Sequence, residues 1–190
     1  GAGSDLASLK TTAVRDGDAY IINGTKRFIT NADTADFAQV FAATDREKGS
    51  RGGISAFLVD MDTPGIALLR QQETMMGDRP WEIAFDDVRV PVQQRIGEEG
   101  EGFKYLLQGL NPERVLFAVE SIGLGFSALE RAATYAKERV VFGRPIGQNQ
   151  GIQHPLAKSW AELSAAELLA YKAAGLYDAG QDCGAEANSA

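Results

Sequence analysis

Halfway along the 190 residues the acidic side chains change kind: residues 1–95 carry 11 Asp and 3 Glu, residues 96–190 carry 2 Asp and 10 Glu. Asp competes for local backbone hydrogen bonds and belongs in turns and caps, whereas Glu is tolerated inside helices. The first half is therefore turn-rich and the second helical. No single repetitive architecture fits both.

In the first half, short apolar runs alternate with turn signals. Leu9 to Arg15 ends at Asp16-Gly17-Asp18, and Ala19 to Ile22 is followed by Asn23-Gly24. That dipeptide predicts a two-residue hairpin, because both residues tolerate positive φ. Thr25 to Thr30 would return from it. Phe37 to Ala43, Ile54 to Val59, Ile66 to Arg70 and Ile83 to Val88 are further strands, separated by segments rich in Gly, Asp and Pro. Short strands at this spacing predict an antiparallel sandwich or barrel-like domain.

After Gly97–Gly102 the apolar period becomes helical: Val115, Leu116, Val119, Ile122, Phe126 and Leu129 share one face. Gly143-Arg144-Pro145 interrupts this pattern. A second helix is expected from about Gly151 to Ala179, with Gly180 as its stop. Long amphipathic helices side by side imply a bundle, and two or three of them leave an apolar face without a partner. The fold class expected is thus α+β and multidomain, a β domain followed by part of a four-helix bundle.

Composition removes several functions. Lys and Arg number 19 against 26 acidic residues, a net charge of −7 with no basic cluster, which argues against nucleic acid as a partner. No apolar run approaches the ~20 residues of a membrane helix, so no membrane span is expected. One cysteine, Cys183, excludes an internal disulfide and a cysteine-rich metal site, and with one histidine, His154, the usual zinc ligand sets are not expected. The chemistry must come from carboxylates, backbone groups or an organic cofactor. The chain starts at Gly1 without Met and stops at Ala190 in a helix-compatible run, as an interior piece of a longer protein would.

Few residues qualify as chemical candidates. Gly1-Ala2-Gly3-Ser4-Asp5 has the composition of an anion-binding turn, and equally of a linker. Glu113, in Asn111-Pro112-Glu113-Arg114, carries two readings. Asn111 as N-cap and Pro112 at the first helical position would make it a favourable charge at a helix start. Alternatively it is a general base in an apolar pocket. Arg139 reads as a C-terminal helix cation or as a phosphate clamp.

Taken in order, six segments resemble the acyl-CoA dehydrogenase family. They are Gly1–Asp5, Ile22–Asn31, Phe85–Pro91, Gly97–Phe103, Tyr135–Ile146 and Gln150–Gln153. The likeness runs to about Gly180, with residues 1–96 as the family's middle β domain and 97–190 as the incomplete C-terminal helical domain. The family's N-terminal helical domain has no counterpart in this chain.

The resemblance implies FAD as cofactor, an acyl-CoA as substrate and a trans-2-enoyl-CoA as product. It implies electrons passed to an electron-transferring flavoprotein, and a homo-oligomer, dimer or tetramer, sharing FAD contacts across its interface. By position it places Ser4 near the flavin or thioester and Phe28-Ile29-Thr30 against the isoalloxazine, with Phe28 where Trp is common. Arg139 matches a pyrophosphate contact from a neighbouring subunit, Phe142 a packing contact on the same cofactor, and Gln150 an adenosine contact. Asn111 and Arg114 match the region approaching CoA. Most members carry the base late in the C-terminal domain, beyond Ala190; a minority, isovaleryl- and long-chain-type enzymes among them, use a Glu directly before an Arg on the first long helix, as in Glu113-Arg114. The base is therefore Glu113 or a residue beyond this chain, and the piece alone is expected to be inactive. An oxygen-using acyl-CoA oxidase and a non-catalytic flavin-binding or interaction relative are the alternatives. The cell compartment implied is the cytoplasm in a bacterium or the mitochondrial matrix in a eukaryote.

Overall fold

A computed structural model describes residues 5–190. The chain divides into two compact units, Gly1–Leu107 and Gln108–Ala190, the division falling within a long helix.

Among the described residues, the first unit is built on seven strands: β1 (Thr12–Asp16), β2 (Ala19–Ile29), β3 (Phe37–Ala43), β4 (Ile54–Asp60), β5 (Ile66–Gln71), β6 (Trp81–Pro91) and β7 (Arg95–Ile96). They form one sheet in the order β5-β6-β2-β1-β3-β4-β7. All neighbours are antiparallel except β1 and β3, which run parallel through Thr12 and Ala43. β1 turns into β2 through Gly17-Asp18, where Gly17 takes φ +61 and Asp16 pairs with Ala19.

The sheet curls on itself. β2 and β4 are separated by β1 and β3, so flat neighbours ~4.8 Å apart would hold them about 14 Å from each other. Yet the rings of Tyr20 on β2 and Phe57 on β4 meet edge to face with centroids 4.9 Å apart. Both are fully buried, in one core with Ala13, Ile22, Val40, Val59, Ile83 and Val90. The Tyr20 hydroxyl donates to the Glu99 carboxylate and accepts from Arg95 Nη1 at 3.3 Å, tying β2 to the segment after β7. Burial, with Glu99 alongside, pushes the Tyr20 phenol above its ordinary pKa. Barrel-like closure thus follows from one apolar face shared by distant strands.

Asn23-Gly24 does not turn the chain, contrary to the hairpin expectation. β2 runs straight through it, and the dipeptide is used at a bulge between Ile22 and Gly24 in the β2/β6 pairing. Asn23 Nδ2 donates to Asp87 Oδ1 at 2.9 Å, and the Asp87 N–H donates back to Asn23 Oδ1 at 2.9 Å. Gly24, at φ +140, lies so near Thr11 that a Cβ would come 2.8 Å from the Thr11 Cα. The local turn signal lost to cross-strand pairing.

The second unit is helical. α1 (Gly102–Glu138) runs unbroken through Pro112; a tight hairpin of β8 (Val140–Val141) and β9 (Arg144–Pro145) leads to α2 (Gln150–Asp178) and the short α3 (Gly184–Ser189). α2 ends as expected: the Gly180 N–H donates to Tyr177 O and the Gln181 N–H to Leu176 O, both at 2.9 Å, with Gly180 at φ +67. Ala173, Cys183 and Ala187 form a small core with Val115 and Leu176. Leu116, Phe117, Trp160, Leu168 and Tyr171 remain exposed, as suits part of a bundle. Among the described residues no helix is long and apolar enough to cross a membrane.

Candidate functional site

In the first unit the expected flavin-facing residues form a strained bulge. The β2/β6 register pairs Lys26 with Ile83 and Ile29 with Trp81, so Arg27 and Phe28 together oppose only Glu82. Phe28 is the surplus residue and takes φ +58, a left-handed conformation unusual for a bulky side chain. Its ring is carried outward, leaving the residue 62% exposed, with the Arg27 guanidinium 5.7 Å from the ring centroid. Ile29 points the other way, into the core. Thr30 is exposed, and its hydroxyl has no hydrogen bond among the described residues. Across the ladder from Ile29, the Trp81 indole N–H is buried without an acceptor among the described residues.

Lys26, just before the bulge, was not singled out from sequence. Its Nζ donates to the Phe41 carbonyl on β3 at 2.6 Å. Burial lowers its pKa from the ordinary 10.5 to about 8. Its parity with Tyr20 and Ile22 along the strand was the available signal: a charge at a position of inward-facing period. The sign of the linkage is clear. Between pH 8 and 10.5 the unfolded chain holds a proton that the folded one has lost, so stability rises with pH through that window. At neutral pH the cost is present in full. Urea unfolding is expected to show wild type gaining up to about 3 kcal/mol relative to Lys26→Met between those limits; parallel pH profiles for the two would refute it.

α1 begins at Gly102, before the second unit, so Asn111 is not an N-cap and Pro112 is not a first helical residue. Glu113 lies more than three turns into the helix, beyond reach of the positive end, and its capping role disappears. Its side chain is exposed. Beside it Arg114 Nη1 donates to Asn111 Oδ1 at 2.9 Å, which fixes the guanidinium along the same stretch of helix.

Arg139 directly follows α1. Its backbone is held by Tyr135 O and by the Ile146 N–H, each at 2.8 Å, while its guanidinium is exposed and forms no ion pair among the described residues. Phe142 tips the β8–β9 hairpin at φ +53, followed by Gly143 at φ +75. Two positive φ values suit a tight hairpin turn, but Asn or Gly normally fills the first position. Here a phenylalanine does, 99% exposed. Gln150 opens α2 with its side chain exposed, and the preceding Asn149 is engaged by Arg144 Nη2 at 2.7 Å. Ser4 lies outside the described residues.

A curled β sheet carrying a strained aromatic bulge, followed by long helices and an aromatic hairpin tip, defines a class of two-part α+β chain. Comparison with known proteins names it. Residues 1–88 match the acyl-CoA dehydrogenase middle domain and residues 100–190 the acyl-CoA dehydrogenase C-terminal domain. The chain belongs to the acyl-CoA dehydrogenase family. It is 43% identical to an acyl-CoA dehydrogenase of Bacillus subtilis (strain 168) over 190 residues, covering 99% of this chain and 50% of that protein. The butyryl-CoA dehydrogenase of Megasphaera elsdenii has a similar structure (TM-score 0.83, 38% identity, 98% of this chain and 49% of that one). So does PigA solved with FAD and proline (TM-score 0.86, 34% identity, 98% and 49%). The chain therefore spans about half the length of the relatives it matches.

Proposed function

We propose that this chain forms the middle and opening C-terminal parts of an FAD-dependent dehydrogenase that oxidises an acyl-CoA thioester to the trans-2-enoyl-CoA. The observation that carries the reading is Phe28: a bulky aromatic kept in a left-handed bulge and turned outward. Such strain persists where a ligand uses it. The residues present fit the cofactor. Phe28 offers a ring for stacking, and Thr30 a hydroxyl and Trp81 a buried N–H that have no partner among the described residues, together suited to a planar, acceptor-rich ring system.

Arg139 offers for a pyrophosphate a guanidinium with no ion pair among the described residues, and Phe142 a projecting ring. Both act on FAD held by a second copy of the chain, with Gln150 contacting the adenosine part. Ser4 approaches the flavin or thioester, and Asn111 and Arg114 the CoA. FAD, when bound, supplies the acceptor for the β-hydrogen and its electron pair. Glu113 removes the α-proton as a carboxylate and keeps it as a carboxylic acid, so protons and electrons balance. Closing water out of the site shields this exchange. Electrons leave to an electron-transferring flavoprotein from a homo-oligomeric enzyme.

The test uses the full-length protein. It should carry FAD whose visible absorbance bleaches anaerobically on addition of an acyl-CoA from a panel of straight, branched and ring-bearing thioesters. FAD that bleaches with none of them would overturn the reading. Reoxidation by an electron-transferring flavoprotein, without oxygen uptake, would identify the acceptor.

A further inference from the structure

Lys26 stands at a seam in the sheet. β1 begins only at Thr12, where it pairs with Asn23 of β2 and Ala43 of β3. One step earlier, Thr11 still supplies its carbonyl to the Ala43 N–H at 2.8 Å and its hydroxyl to Thr25 O at 3.3 Å. Past that point β2 and β3 continue without a strand between them. The Phe41 carbonyl faces this gap with no ladder donor, and the Lys26 ammonium reaches it at 2.6 Å. A lysine side chain thus replaces the missing strand's hydrogen bond.

The seam lies immediately beside the bulge. Lys26 is the last β2 residue in register with β6 before Phe28 is extruded, and Ile29 is the first in register after it. Ile29 is fixed by the core. Lys26 is held by its ladder pairing with Ile83 and, at its side chain, by the bond across the gap; it forms no ion pair among the described residues. The surplus residue is therefore held on one side by apolar packing and on the other by the pairing with Ile83, reinforced by one side-chain hydrogen bond across the seam. Releasing the side-chain bond weakens the hold on that side, so that the bulge relaxes toward a flatter form in which Phe28 leaves positive φ.

We propose that Lys26 is a positioning residue that holds the Phe28–Thr30 bulge in the form that receives the flavin. The inference rests on the FAD reading given above. It explains why a lysine is kept where burial disfavours its charge. An apolar side chain would relieve that cost and would leave the Phe41 carbonyl without its donor and the bulge less firmly held.

The experiment compares wild type, Lys26→Met and Lys26→Arg in the full-length protein, reading FAD affinity, visible circular dichroism of the bound flavin, and apoprotein melting. Lys26→Met should melt no lower than wild type near pH 7, yet bind FAD about tenfold more weakly, the equivalent of one lost hydrogen bond, with an altered flavin spectrum. Lys26→Arg, which retains a charged donor, should recover affinity to within about threefold. Wild-type affinity and spectrum in Lys26→Met would overturn the proposal while leaving the FAD reading intact. An apoprotein that melts far lower or fails to fold would make Lys26 a strut of the sheet and overturn it too. Absence of FAD binding by wild type would instead remove the reading on which it rests.

Discussion

Glu113→Gln in the full-length protein is expected to slow anaerobic flavin reduction by an acyl-CoA about 10²- to 10⁴-fold, the range a positioned general base supplies. The substitution preserves size and removes only the capacity to take a proton. Glu113 makes no hydrogen bond or ion pair among the described residues, and it lies far inside α1, so fold and FAD content should be unchanged. Stopped-flow reduction with FAD occupancy measured alongside is the decisive combination. Full-rate reduction would move the base to a residue beyond Ala190. Loss of FAD with the activity would make Glu113 structural. The outcome bears on chemistry alone, because the competing helix-cap explanation ended when α1 was found to start at Gly102.

Phe57→Ala is expected to destabilise the β unit by about 3–5 kcal/mol, the usual cost of removing a buried aromatic ring. Phe57 is fully buried, and its contact with Tyr20 joins strands that a flat sheet would hold far apart. Small domains have only about 5–15 kcal/mol in total, so the loss should appear as a large shift in the urea midpoint. Leu58→Ala is the matched control. It is the next residue on β4 with its side chain on the opposite face, 37% exposed, and should cost below about 1 kcal/mol. Equal effects for the two would mean that no core bridges β2 and β4.

Much of this architecture was legible beforehand. The strand run Phe37–Ala43 reappears as β3 with the same ends, those around Ile54, Ile66 and Ile83 as β4 to β6 with longer ones, and Gly180 stops α2 by the expected backbone geometry. These are features that short-range sterics and apolar period specify. Asn23-Gly24 shows the limit. The dipeptide has the turn chemistry, but β6 offers eight paired positions and Asp87 two hydrogen bonds, and the extended path is taken. Pro112 shows it again: capping preferences favour a helix start there, yet α1 runs through the proline from Gly102 to Glu138. Phe28 and Thr30 were found only through resemblance. Nothing local marks Phe28 as left-handed, since its φ follows from a register mismatch with a strand more than fifty residues away.

The change from Asp to Glu, the two apolar periods and the scarcity of Cys and His were enough to establish a turn-rich β part, a helical part and a dependence on borrowed chemistry. Each of these is a property of side chains and their nearest neighbours in sequence. Curling of the sheet, extrusion of Phe28 and the span of Lys26 across the seam depend on which strands meet and in what register. That is a balance among many distant contacts, and it exists only once the chain has folded.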